Sequence, residues 1–161
     1  GLATLLLDLL TRQEDAEDRR TRELRFNIPL LAERLNYAVN TAGDEPATRA
    51  LPVGLFGAST GAAAALIDAA RRPGEVRAVV SRGGRGDLAG DALPQVRAPT
   101  LLIVGARDEP VIGMNRQTMA QMTCPTRLEI VAGATHLFEE PGALDEVARL
   151  AGDWFVEKLP A

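Results

Sequence analysis

Ser59 lies among small residues in G-A-S-T-G, Asp108 ends the run P-T-L-L-I-V-G-A-R-D, and His136, the only histidine, sits in G-A-T-H-L-F. A serine hydroxyl attacks a carbonyl poorly until an imidazole takes its proton. The imidazole in turn needs a carboxylate to fix its tautomer and offset its charge. Serine, acid and histidine in this chain order fit acyl transfer by a nucleophile set on a strand-to-helix turn. With one histidine in the chain, His136 is the one imidazole available as the base.

A nucleophile on so sharp a turn needs very small neighbours two positions to either side, and Gly57 and Gly61 supply them. Alanines 62 to 65 let the following helix approach the sheet, and the first amide of that helix, at Thr60, faces a developing oxyanion. Asp108 comes just past a strand-like run, where open parallel sheets gather their functional groups; Glu109 beside it is the alternative acid. Arg82 and Arg85 follow another strand-like run on the same edge. They are candidates to clamp a substrate carboxylate or phosphate, with ordinary loop arginines as the other reading.

Apolar runs alternate with stretches of helical period, which is the pattern of an α/β domain. It implies a mostly parallel sheet of about five strands with helices on both faces. Ala3 to Leu7 is an unbroken apolar run and reads as a first, fully buried strand. Thr11 to Arg25, dense in both charge signs and without an apolar stripe, reads as an exposed loop. From Ile28 the residues Leu31, Leu35, Ala38 and Val39 recur at helical spacing, with Asn27 as N-cap, Pro29 in the first turn and Gly43 at the end. V-G-L-F gives the second strand, Thr60 to Arg72 a helix, and Val76 to Ser81, Thr100 to Val104 and Arg127 to Val131 the remaining strands. A helix is expected near Asn115 to Met122, and a last one from near Pro141 that places Leu144, Val147, Ala148, Ala151, Trp154 and Phe155 on one stripe. The span from Arg82 to Ala98 is too short for a lid domain, which implies an open pocket for a small or extended acyl group.

The 161 residues, 46% hydrophobic, read as a single domain covering 1–161. A formal charge of -4, with Lys158 the only lysine among 18 basic residues and the arginines scattered, argues against a nucleic-acid partner. No apolar run approaches the roughly 20 residues that cross a bilayer, and the opening G-L-A-T-L-L-L-D-L-L lacks the basic front and cleavage site of a signal peptide. A cytoplasmic, membrane-free protein is expected. Cys124 has no partner for an intrachain disulfide. One histidine and one cysteine do not make a zinc site, and no cofactor is called for.

V-G-L-F-G-A-S-T-G-A-A-A-A, P-T-L-L-I-V-G-A-R-D-E-P-V and G-A-T-H-L-F-E-E-P-G resemble the α/β-hydrolase superfamily, nearest its dienelactone hydrolase-like branch, and G-L-A-T-L-L-L-D-L-L matches as well. The resemblance runs from Gly1 to the last helix. It implies Ser59 as nucleophile, Asp108 as the residue orienting the histidine, and His136 as general base and then acid. The namesake enzymes carry cysteine at the elbow, where this chain has serine. The expected reaction is therefore metal-independent hydrolysis of a small-molecule carboxylic ester, lactone or thioester through an acyl-enzyme at Ser59. The alternative is a non-catalytic ligand-binding or accessory module of a fused or partner enzyme. Similar domains occur fused to phosphoribosyltransferase domains, so fusion or assembly with another domain is a further expectation. The resemblance also implies a strand between Ala3 to Leu7 and the elbow strand, supplied from earlier in the chain, with a loop that donates a second oxyanion amide. A chain opening at Gly1 would then be an N-terminally shortened fold lacking roughly 50 residues or more, at ~30 per strand-helix unit. Either the sheet closes by pairing its first two strands, or it leaves a slot for another chain.

Overall fold

The structure, a computed structural model, describes residues 1–159. Along the chain run α1 (Arg12–Thr21), α2 (Ile28–Asp44), β1 (Val53–Ala58), α3 (Thr60–Arg71), β2 (Val76–Arg82), β3 (Thr100–Gly105), α4 (Glu109–Gln121), β4 (Thr126–Val131) and α5 (Ala143–Lys158), with 3-10 turns at Leu24–Phe26 and Gly86–Gln95. All four strands found among the described residues are parallel, in the order β1-β2-β3-β4. Strands that follow chain order through right-handed crossovers carry their connections on one face. Accordingly α3, the Gly86–Gln95 turns and α4 pack side by side, with α2 against α3, while α5 lies against β2, β3 and β4 from the opposite face. The result is an α/β sheet flanked by helices.

Burial follows position in the sheet. β3 is buried along its whole length and β2 nearly so, whereas the outer strands β1 and β4 are partly open. A strand covered on both faces must be apolar throughout, which is why T-L-L-I-V-G reads without alternation. One core joins Leu31, Leu55, Leu66, Val79 and Leu93; the other joins Val80, Leu101, Ile103, Phe138 and Trp154.

Several expectations fail at the edges. Residues 3–7 are not a strand: they pair with nothing and lie exposed, Leu6 at 95%. An unbroken apolar run specifies burial but cannot choose a partner, and beside β1 there is no neighbouring strand among the described residues to supply a ladder. Among the described residues the sheet therefore has four strands, not five, and residues 3–7 do not pair with β1. The charged stretch read as a loop contains α1. Its order comes from a capping box between Thr11 and Glu14 and from ion pairs Arg19–Asp15 and Arg20–Glu17, not from an apolar stripe. α4 begins six residues before the expected Asn115, with Pro110 in its first turn. In α5 the buried stripe is Ala143, Val147, Ala151 and Trp154, with Leu150 and Phe155 partly covered; Leu144 and Ala148 face outward. α2 matches its expected start, with Asn27 Oδ1 accepting from the Leu30 amide.

Candidate active site

Ser59 sits between β1 and α3 with φ 49° and ψ -123°, a left-handed backbone that costs a non-glycine residue on the order of 1–3 kcal/mol. What holds it there is explicit. The Ser59 amide donates to Arg82 O at 3.2 Å, and its carbonyl accepts from the Arg85 amide at 2.9 Å and the Ala62 amide at 3.2 Å. Gly57 is required by close approach: a Cβ there would lie 2.6 Å from Ala62 Cα and would also fall on Gly61 O. Gly61 carries no such demand, since its Cβ would meet only Leu9 Cδ1 at 3.7 Å. The expected need for tiny residues on both sides thus holds on the strand side alone. Thr60 opens α3, and its amide has no acceptor among the described residues, leaving it free to receive an anion.

The acid and the histidine come from two further strand ends. Asp108 closes the turn after β3, its amide donating to Gly105 O at 3.0 Å. His136 lies in the loop after β4, which is pinned by Arg107 N donating to Ala134 O at 2.9 Å and by both Glu140 carboxylate oxygens accepting from the Thr135 amide at 3.1 Å. Across this junction Asp108 Oδ2 lies 2.6 Å from His136 Nδ1. The Asp108 side chain is only 13% exposed and the His136 side chain 41%, so the ring is anchored on its buried side and open on the other. Glu109 is the exposed first residue of α4, and no hydrogen bond joins it to the ring among the described residues. No hydrogen bond joins Ser59 Oγ to His136 among the described residues.

Gly83 lies against the His136 ring. It has φ 51°, and a Cβ would stand 3.4 Å from His136 Cε1 and from the His136 carbonyl. Ser59 and His136 are therefore built around the same β2 terminus, one bonded to Arg82 and the other resting over Gly83. Gly83 and Glu140 escaped the sequence reading. Their signals, the R-G-G-R-G run and the acid four residues past the histidine, carry meaning only once the loops are seen to meet.

The two arginines part company. Arg85 is locked in a two-pronged ion pair with Asp87, at 2.9 and 2.8 Å. Arg82 has no carboxylate partner among the described residues; its guanidinium sits 5.5 Å from the Phe138 ring centroid and 3.5 Å from Leu137 O. Burial draws its pKa below the ordinary arginine value, yet the group stays cationic at neutral pH. No cluster of three or more His, Cys, Asp or Glu able to hold a metal occurs among the described residues, and no helix there is long and apolar enough to cross a membrane.

Comparison with known proteins bears on this arrangement. A dienelactone hydrolase from Anabaena variabilis is 59% identical and superposes with a TM-score of 0.94, over 99% of this chain and 74% of that one. The esterase domain of a Rhodothermus marinus protein shares the fold at 20% identity and a TM-score of 0.66, over 77% of this chain and 68% of that one. A Mycobacterium tuberculosis H37Rv protein bearing the name "Putative phosphoribosyl transferase" is 55% identical over 159 residues, which are 99% of this chain and 35% of that protein. The chain thus spans about a third of the length of that curated relative. The profile of the Dienelactone hydrolase family matches residues 1–155, a span that holds the elbow serine, the Asp108–His136 pair and both cores, and the chain belongs to that family.

Proposed function

We propose that the protein is a serine hydrolase that cleaves a carboxylic ester, lactone or thioester through an acyl-enzyme at Ser59. The observation that carries this reading is the Asp108–His136 contact of 2.6 Å, set beside a serine held in a strained left-handed turn. With Asp108 accepting at Nδ1, that nitrogen carries the proton and Nε2 is left as the acceptor for the Ser59 hydroxyl. His136 takes the proton as Ser59 attacks and returns it to the leaving group; Asp108 offsets the imidazolium charge. Water then enters by the same route in reverse and releases the acid. The missing bond between Ser59 and His136 is compatible with this, because such contacts commonly tighten only once substrate is bound. The free Thr60 amide, at the positive end of α3, is the oxyanion donor. Arg82 is the substrate-facing cation and favours acidic acyl groups; Arg85, neutralised by Asp87, takes no part. The reading requires no metal or cofactor; a cytoplasmic location is a separate part of the proposal.

The second reading is an accessory module within a larger protein. The name of the curated relative favours it, since this region is only 35% of a protein called a phosphoribosyl transferase. A fluorophosphonate probe separates the two. Rapid labelling that is lost in Ser59→Ala supports the hydrolase, and a parent protein that does not label refutes it.

A further inference from the structure

Asn115 is fully buried in α4, a helix that packs against the Gly86–Gln95 turns and β3. Its Nδ2 donates to Val111 O at 2.8 Å, one turn back, and to Gly84 O at 2.9 Å, across the fold. Its Oδ1 has no partner among the described residues. An amide with half its capacity unmet in a closed interior is a poor packing element, and a leucine of similar size would carry no such penalty. The bond to Gly84 is the contact that a leucine could not make.

Gly84 belongs to the turn that clamps the elbow. Arg82 O takes the Ser59 amide and Arg85 N gives to the Ser59 carbonyl, so residues 82–85 grip the strained residue from both sides. The turn is itself fixed at two points, by Gly83 N donating to Ile103 O at 2.7 Å and by Asn115 holding Gly84 O. It is also pressed inward, because a Cβ on Gly84 would lie 2.5 Å from Ala62 Cβ and fall on Ser81 Oγ. α4 starts at Glu109, directly after Asp108. One helix therefore carries the acid's position at its N-terminus and, two turns later, the strut that sets the serine's backbone.

We infer that Asn115 is a positioning residue for acyl transfer: by holding Gly84 it fixes the Ser59 backbone and the Thr60 amide relative to the Asp108–His136 pair. The inference rests on the hydrolase reading above. It acts through geometry, so its loss should slow the chemical step and leave substrate binding nearly intact.

The test compares Asn115→Leu, which removes both donors, with Asn115→Ser, whose hydroxyl can still bond back to Val111 O but is too short to reach Gly84 O. Both are made in the full-length protein. Competent sites are counted by fluorophosphonate titration, and kcat and KM on a small activated ester are then expressed per titrated site. The expected result is that both variants label to completion but slowly. Their kcat per site should fall on the order of 10-fold to 10²-fold, with KM within about twofold. Unchanged kcat per site in folded Asn115→Ser overturns the inference, as does failure of both variants to fold, which would make Asn115 a purely structural residue. A parent protein that does not label overturns the hydrolase reading itself, whereas a labelling parent with unaltered variants removes only the role of Asn115.

Discussion

At the carboxyl edge of the sheet, Ser59 keeps an unfavourable backbone because three hydrogen bonds surround its peptide groups and Gly57 lets α3 close over it. At the opposite extreme, residues 1–8 carry four leucines, Leu2, Leu5, Leu6 and Leu7, that are 44–95% exposed and have no ladder. What tethers the segment that follows is polar: Arg34 donates to Leu9 O at 2.7 Å and pairs with Glu14 at 2.5 Å. Hydrophobicity alone does not order a chain. The edge is held because every strained position has neighbours with nowhere else to go, and the first residues lie exposed because no element among the described residues faces them.

The largest effect that would sharpen this comparison is chemical. Ser59→Ala and His136→Ala should each lower kcat by about 10⁴-fold or more, and the double variant should be no slower than either, because the two act as one unit. A double variant that loses the product of the single effects would separate the residues. Next comes packing. Gly57→Ala drives a Cβ against backbone that cannot yield, and should cost about 2 kcal/mol, a fall in melting temperature of roughly 4–8 °C. Leu6→Ser should stay within about 0.5 kcal/mol of the parent. Equal shifts in thermal scans would erase the contrast between the packed edge and the exposed first residues.

A smaller effect concerns charge at the packed edge. Arg82→Ala should raise KM for an acidic ester about 10-fold over that for a neutral ester, the loss of one charge-assisted hydrogen bond, while Arg85→Ala should change the two equally. Reversed results would make Arg85 the substrate contact despite its pairing with Asp87. The smallest effect lies in the tether that follows the first residues. Hydrogen bonds from Arg34, then from Thr11, hold the Glu14 carboxyl down from an ordinary 4.5 to about 2. A folded pKa below the unfolded one contributes stability that is complete above about 4.5 and is lost as the pH falls through about 2. Glu14→Gln should remove that dependence and speed amide exchange in α1 already at neutral pH. Identical exchange in parent and variant between pH 2 and 5 would show that this tether holds nothing.

Residue order and type by themselves determined the interior strands and the α2 cap at Asn27, and nominated Ser59, Asp108 and His136 as the candidate set, because each depends on local pattern: an apolar run, a capping side chain, a small-residue turn. They also made Glu109 a formal alternative to Asp108, and Arg85 an equal of Arg82. Only the tertiary structure brought Asp108 to the ring and set Arg82 beside Leu137, contacts 28 and 55 positions apart along the chain, whereas Arg85 is neutralised by Asp87 two residues away. The same holds at the edges. α1 is stabilised by a cap and ion pairs that have no hydrophobic period, and residues 3–7 carry a strand's pattern without a strand's partner. Local physics selects what a segment can become; a neighbour with matching hydrogen bonds and surface decides whether it does.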